Sequence, residues 1–124
     1  MTAQPWTIER DASLRDAHTL MQSHQIRHLP VLEDGRLVGV VTDRDLLLLE
    51  VTARVDVETT HVDRAMTERP FIVTGDTALD EVVAIMSERK YGSVIVMGRE
   101  GVEGIFTAVD ACRVLSEMLQ SEFF

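Results

Sequence analysis

The chain is poor in several things, and each shortage removes a class of protein. It has one cysteine, Cys112, in 124 residues. An intrachain disulfide is therefore impossible, and the expected setting is reducing, hence cytoplasmic. No apolar run approaches the roughly 20 residues that cross a bilayer. The opening MTAQPWTIERD has no basic stretch followed by a greasy one, so it does not read as a secretory signal. Basic residues are also scarce: 12 Lys and Arg stand against 21 Asp and Glu, a net charge of −9. That balance speaks against a binder of nucleic-acid backbone, whose affinity comes largely from cations neutralising phosphates. It leaves room for a small anion, which needs only one or two local cations. What the chain does have is apolar content, 45%, enough to build a core and to argue against disorder.

It also has a repeat. Shifted by 65 residues against itself, the chain matches without a gap at Met1-Thr2/Met66-Thr67, Pro5/Pro70, Asp11/Asp76, Leu14/Leu79, Met21/Met86, Val31/Val96, Gly39/Gly104, Thr42/Thr107 and Asp45/Asp110. Similar pairs, such as Leu29/Val94 and Val40/Ile105, extend the match. Two copies of one supersecondary unit are expected, with boundaries at residues 1–59 and 60–124. Each copy reads as a short strand (Trp6–Ile8; Phe71–Val73), then a helix with Leu14, Ala17, Leu20 and Met21, or Leu79, Val82, Val83 and Met86, at helical spacing. Two strands follow, His28–Leu32 with Arg36–Val41 and Ser93–Met97 with Val102–Phe106, and a second helix starts at Asp43 or Ala108. The turns between those strands, EDG and GREG, carry the glycines that hairpins favour. TARVDVETTHVDRAM, between the copies, is polar and lacks alternation. It reads as a loop to about Thr60 and then a short helix into Met66.

The most suggestive stretches are GVVTDRD, Gly39 to Asp45, and GIFTAVD, Gly104 to Asp110. Thr followed three residues later by Asp resembles a capping box at a helix start. The pattern [ST]-x-x-D occurs five times: Ser13/Asp16, Thr42/Asp45, Thr60/Asp63, Thr77/Asp80 and Thr107/Asp110. All five sit where a helix is expected to begin. Only Thr42/Asp45 and Thr107/Asp110 also follow a glycine at the end of an apolar strand. A hydroxyl and a carboxylate at a strand-to-helix junction lie where ligands often meet helix N-termini. A carboxylate there can accept hydrogen bonds from both hydroxyls of a vicinal diol such as ribose.

The order strand, helix, IRHLPVLEDGRLVGVVTDRDL, followed by a second copy ending YGSVIVMGREGVEGIFTAVDA and by the MTxxP opening of each repeat, resembles a tandem pair of CBS domains, a Bateman module. The resemblance covers about residues 1–120. It implies an α+β fold of two β-α-β-β-α repeats packed through their sheets with pseudo-two-fold symmetry. It also implies a non-catalytic regulatory module that binds an adenine nucleotide (AMP, ADP or ATP), or less often another adenosyl compound or a cyclic dinucleotide, in clefts between the repeats. By the same resemblance Asp45 and Asp110 take the ribose hydroxyls, and Thr42 and Thr107 bond on the ribose or phosphate side. The strand starts of the opposite repeat complete each cleft: Trp6, Ile26, Arg27 and His28 beside Thr107/Asp110, and Phe71, Tyr91, Gly92 and Ser93 beside Thr42/Asp45. The former set offers a guanidinium fork and an imidazole for phosphate, so that cleft is expected to bind a phosphorylated adenosine more tightly. A homodimer is implied too, with signalling to an unknown protein target through a conformational or dimer change. Family members usually carry a helix before the first MT, whereas this chain begins at Met1-Thr2.

Other readings compete. The capping-box explanation leaves a ligand-free dimerisation or scaffold module open, as does a regulatory segment of a larger enzyme or transporter. His18, His24 and His28 do not form a convincing metal set, because the helix should end between the last two. Asp43 and Asp45 are too close along the chain to converge as catalytic acids, and no nucleophile and base accompany them. Arg27 and His28 also read as a solvated strand start, and Trp6 and Tyr91 as packing residues. The terminal LSEMLQSEFF fits either a continued helix that buries Phe123 and Phe124 in a partner or a frayed end.

Overall fold

The computed structural model describes residues 2–3 and 5–123. Met1, Gln4 and Phe124 lie outside the described residues, and with them the expectation for the Phe123-Phe124 end. The repeat appears in the backbone, with most element bounds 65 positions apart. β1 (Thr2–Ala3), β2 (Ile8–Glu9), α1 (Leu14–His24), β3 (His28–Glu33), β4 (Arg36–Thr42) and α2 (Asp43–Ala53) form the first series. A 3-10 turn at Val62–Arg64 follows. The second series is β5 (Thr67–Glu68), β6 (Ile72–Thr74), α3 (Leu79–Arg89), β7 (Ser93–Gly98), β8 (Gly101–Thr107) and α4 (Ala108–Phe123). In it β6 begins one residue early and α4 runs five residues past the counterpart of α2. α1 and α3 have the same length, and both end on a left-handed residue, Gln25 and Lys90, 65 positions apart. Register shifts in the hairpins fall at Val31/Leu32 and Val96/Met97, again 65 apart. The result is α+β, as expected, with two mixed sheets ordered β2-β3-β4-β5 and β1-β8-β7-β6.

The expected strands at Trp6–Ile8 and Phe71–Val73 run one or two residues later than the sequence indicates, and each pairs parallel with the strand after the helix. The two-residue strands β1 and β5 were not expected at all. They are the MT segments that open the repeats, and each pairs antiparallel with the second strand of a hairpin: β1 with β8, β5 with β4. The exchange divides the chain into two compact units, Pro5–Pro70 and residues 71–123 with β1.

The Pro5–Pro70 unit has a closed core. Leu14, Ala17, Leu29, Val31, Val41, Leu46 and Val62 are fully buried. Its hairpin turns through Asp34 and Gly35, both at positive φ, a two-residue turn for which Asp-Gly is suited. The segment after α2 is polar by composition yet packs down. Val55 and Val57 lie against the core. The Leu14 N–H donates to the Thr60 carbonyl at 3.0 Å, Arg15 N–H to Val57 O at 3.0 Å, and Val62 N–H to Ala12 O at 2.8 Å. Arg10 ties the same strap, reaching Glu33 at 2.8 Å and Asp63 at 3.2 Å. Its hydrogen bonds to Glu33 and then Asp63 raise its pKa above the ordinary value.

The second unit buries less. Val82, Met86, Val94 and Phe106 form its core cluster, with Phe71, Val73, Val83, Tyr91 and Ala111 packed around it. Between α3 and α4 a cavity of about 790 Å³ stays open, lined by Leu79, Val83, Met86, Phe106, Ala111 and Leu115 among others. The repeat shows why. Leu46 in α2 corresponds to Ala111 in α4, so a buried isobutyl group becomes a methyl. Leu14, fully buried under its strap, corresponds to Leu79, which is 46% exposed.

Candidate functional site

In each unit the last strand runs straight into the last helix. Thr42 is the final residue of β4 and the N-cap of α2, with extended backbone (φ −114, ψ 163). The Asp45 N–H donates to Thr42 Oγ1 at 3.0 Å, and the Thr42 N–H donates to Asp45 Oδ2 at 3.0 Å. This is a complete capping box, with two orphan donors satisfied reciprocally. The second unit repeats it: Asp110 N–H to Thr107 Oγ1 at 3.2 Å, Thr107 N–H to Asp110 Oδ2 at 2.9 Å. Of the five Thr/Ser-x-x-Asp matches, these two and Ser13/Asp16 cap helices. Thr60 and Thr77 do not. The 3-10 turn is capped by His61 and α3 by Ala78, neither with a side-chain bond. Thr60 is instead buried within the strap, and the Thr77 hydroxyl lies 3.4 Å from that of Thr74. Two expected helix starts were each displaced by one residue.

The glycine of the motif has a local cause. A Cβ on Gly39 would lie 2.7 Å from Met66 Sδ and 2.7 Å from the Thr67 carbonyl oxygen. Gly39 pairs with Glu68 of β5, so only a residue without a side chain lets the MT strand approach. The glycine and the MT opening, far apart in the sequence, are two halves of one contact. Gly104 holds the equivalent register, opposite Ala3.

Within each unit the strand starts lie against that unit's own motif, whereas the resemblance joins them to the motif of the opposite repeat. His28 pairs with Thr42, and the Asp43 N–H donates to the Arg27 carbonyl at 3.1 Å. Arg27 is 81% exposed at its side chain, with its guanidinium 4.0 Å from Asp43. Ser93 pairs with Thr107, and the Ala108 N–H donates to the Gly92 carbonyl at 2.9 Å. Gly92 faces open space. Ile26 is half-buried against the first core. Trp6 is 51% exposed and stacks on His24, ring centroids 3.7 Å apart. Phe71 and Tyr91 stack at 5.1 Å and pack against the second core. His18 pairs with Glu50 at 2.6 Å, joining α1 to α2. Among the described residues no group of three or more His, Cys, Asp or Glu is placed to hold a metal, and no helix is long and apolar enough to cross a membrane.

The two motifs differ in one respect that the sequence reading missed. The Asp110 carboxylate is buried, and its Oδ1 faces the guanidinium Nη1 of Arg113 at 3.2 Å. Its Oδ2 accepts from the Thr107 hydroxyl, at 3.2 Å, as well as from the backbone. Asp45 is half-buried, and its Oδ1 has no partner among the described residues; the residue three further on is Leu48. The signal was readable: an acid and an arginine three apart on one helix face each other.

Against known proteins the chain is 28% identical over 118 residues to hypoxic response protein 1 of Mycobacterium tuberculosis, covering 94% of this chain and 82% of that one. A structure of hypoxic response protein I holds two coordinated zinc ions and superposes with a TM-score of 0.78. A protein from Vibrio cholerae assigned to acetoin utilization superposes at 0.83, with 28% identity, over 98% of this chain and 90% of that one. CBSX2, solved in complex with AMP, superposes at 0.77, with 27% identity, over 95% and 93%. The CBS domain family model matches residues 1–51 and again 61–117. Two copies of that domain account for the repeat, the exchanged MT strands and the paired Thr–Asp motifs, and the chain belongs to the CBS domain family.

Proposed function

We propose that this chain is a non-catalytic regulatory module that senses an adenine nucleotide, of the AMP, ADP or ATP kind, through the ribose. The observation that carries the reading is the duplicated Thr–Asp pair at a strand-to-helix junction, in which the Asp45 carboxylate keeps one oxygen without a partner among the described residues. An anionic oxygen held beside a helix N-terminus suits the hydroxyls of a vicinal diol. The AMP complex of CBSX2, a relative by sequence and fold, supports the choice of ligand. Signalling to a protein target follows from population shift: a nucleotide that binds one arrangement better makes that arrangement commoner.

A homodimer in the cytoplasm is the proposed working form. Leu47, Leu48 and Val51 on α2, and Val109, Leu115, Met118 and Leu119 on α4, are large apolar residues left exposed. Patches of this kind mark interaction surfaces, and a second copy is the commonest partner. Sedimentation velocity on the chain and on Leu115→Glu tests this: a dimer that the glutamate dissociates supports it, and a monomer in both cases sinks it.

A scaffold that binds no nucleotide is the second reading, favoured by the fact that both Thr–Asp pairs already serve as helix caps. Asparagine separates the two. It keeps an acceptor for the threonine N–H and so keeps the cap, but it loses the charge. Calorimetric titration with AMP, ADP, ATP and S-adenosylmethionine should show binding that Asp45→Asn weakens about ten- to a hundred-fold with little change in melting temperature. No binding of any of these ligands would leave the scaffold.

A further inference from the structure

We infer that Arg113 is a specificity-determining residue: it closes the Asp110 motif to a bare ribose and admits ligands that bring an anion of their own. This rests on the ribose-binding reading above and goes beyond it by making the two motifs chemically different.

A diol needs carboxylate lone pairs. In the first unit Asp45 spends Oδ2 on the Thr42 N–H, while Oδ1 has no partner among the described residues. A ribose can be accepted without displacing anything. In the second unit Asp110 has both oxygens engaged, Oδ2 with the backbone and hydroxyl of Thr107 and Oδ1 with Arg113. Asp110 is itself buried, so its charge is poorly solvated and the guanidinium compensates it. A neutral nucleoside that displaces Arg113 from Oδ1 puts uncharged hydroxyl donors where a cation had stood beside the buried carboxylate. It also leaves the cation without a carboxylate partner among the described residues.

A nucleoside phosphate changes this balance. The Arg113 side chain is 61% exposed, so it has solvent on its free side and can swing. A phosphate about one sugar ring away from the diol gives the guanidinium a new partner, one its planar fork matches with two parallel bonds. Ligand anion and ligand diol then replace each other's cost: the phosphate takes the arginine, and the hydroxyls take the freed oxygen. The corresponding residue of the first repeat, Leu48, is 61% exposed and carries no charge, so that motif has no such requirement.

The test uses the full chain and two ligands that differ only in phosphate, adenosine and AMP. Asp45→Asn silences the first motif and leaves Asp110 to report. In that background AMP is expected to bind at least about ten-fold tighter than adenosine. Adding Arg113→Leu should reduce the ratio to about three-fold or less, chiefly by tightening adenosine, and Arg113→Lys should keep most of it. The reciprocal Leu48→Arg, read in an Asp110→Asn background, should create a preference for AMP where there was little. An AMP-to-adenosine ratio that Arg113→Leu leaves unchanged overturns the inference while the ribose reading survives. Failure of both ligands to bind either the native chain or Arg113→Leu, with melting temperatures showing both folded, overturns the ribose reading and the inference with it.

Discussion

Leu46 and Ala111 occupy the same place in two copies of one unit, and they lead to different surfaces. Around Leu46 the first unit is closed: the side chain is fully buried, Val62 arrives from the strap, and Leu14 beneath it is inaccessible. Around Ala111 the second unit is open, with a cavity of about 790 Å³ between its helices. Three methylene-equivalents at one position separate a fully buried side chain from one that borders a groove. The backbone barely registers the change, since α1 and α3 have equal length and the hairpins bulge at equivalent residues. Fold in this protein is fixed by what the copies share, and binding surface by what they do not. The same division governs the motifs, where Leu48 against Arg113 alters the chemistry without altering the cap.

That comparison can be broken or sharpened by substitution. The largest effect is expected from Leu46→Ala, which gives the first unit the second unit's residue. Removing a fully buried leucine should cost about 2–5 kcal/mol in chemical denaturation; a loss below 1 kcal/mol would mean that the two cores differ less than their burial indicates. Next comes Gly39→Ala. Its methyl would press on the Thr67 carbonyl, which is backbone and cannot rotate away. A loss of about 1–3 kcal/mol is expected, together with faster amide exchange at Thr67. The smallest effect, and of opposite sign, belongs to Ala111→Leu. Filling the groove with the residue of the first repeat should stabilise the chain by about 1 kcal/mol, seen as a raised denaturation midpoint. If the midpoint falls, the groove is shaped around the alanine rather than merely left empty by it.

Much of this was legible beforehand. Apolar spacing places Leu14, Ala17 and Met21 on one buried face of α1, and Val82 and Met86 on that of α3, because helical periodicity is a local signal carried by many residues. EDG marks its hairpin for the same reason. β1 and β5 were not legible, since two residues cannot show alternation, and their pairing depends on residues far along the chain. The strap reads as a polar loop because the residues that dock, Val55, Val57 and Val62 among them, are spaced by the surface they cover rather than by any regular period. Thr60 and Thr77 carry the capping pattern but do not cap, which shows that the pattern marks a helix start only to within a residue. Arg113 stands at a regular spacing from Asp110, but acid–arginine pairs three apart are common on solvated helix faces, and only the burial of Asp110 in the fold distinguishes this one.

The pairing of Thr2 with Ile105 has a consequence for how the molecule assembles. Pro5–Pro70 is continuous in the chain, so every contact of that unit is available once Pro70 has been made. The other unit takes its outer strand from the opposite end of the chain, a pairing of Thr2 with Ile105 whose long sequence separation slows its formation. On the ribosome, β1 emerges long before β8 exists and must remain unpaired meanwhile. Assembly is therefore expected to follow chain order: the sealed unit draws only on contiguous sequence, and the open unit, which carries the groove and Arg113, gains its outer strand from the far end of the chain.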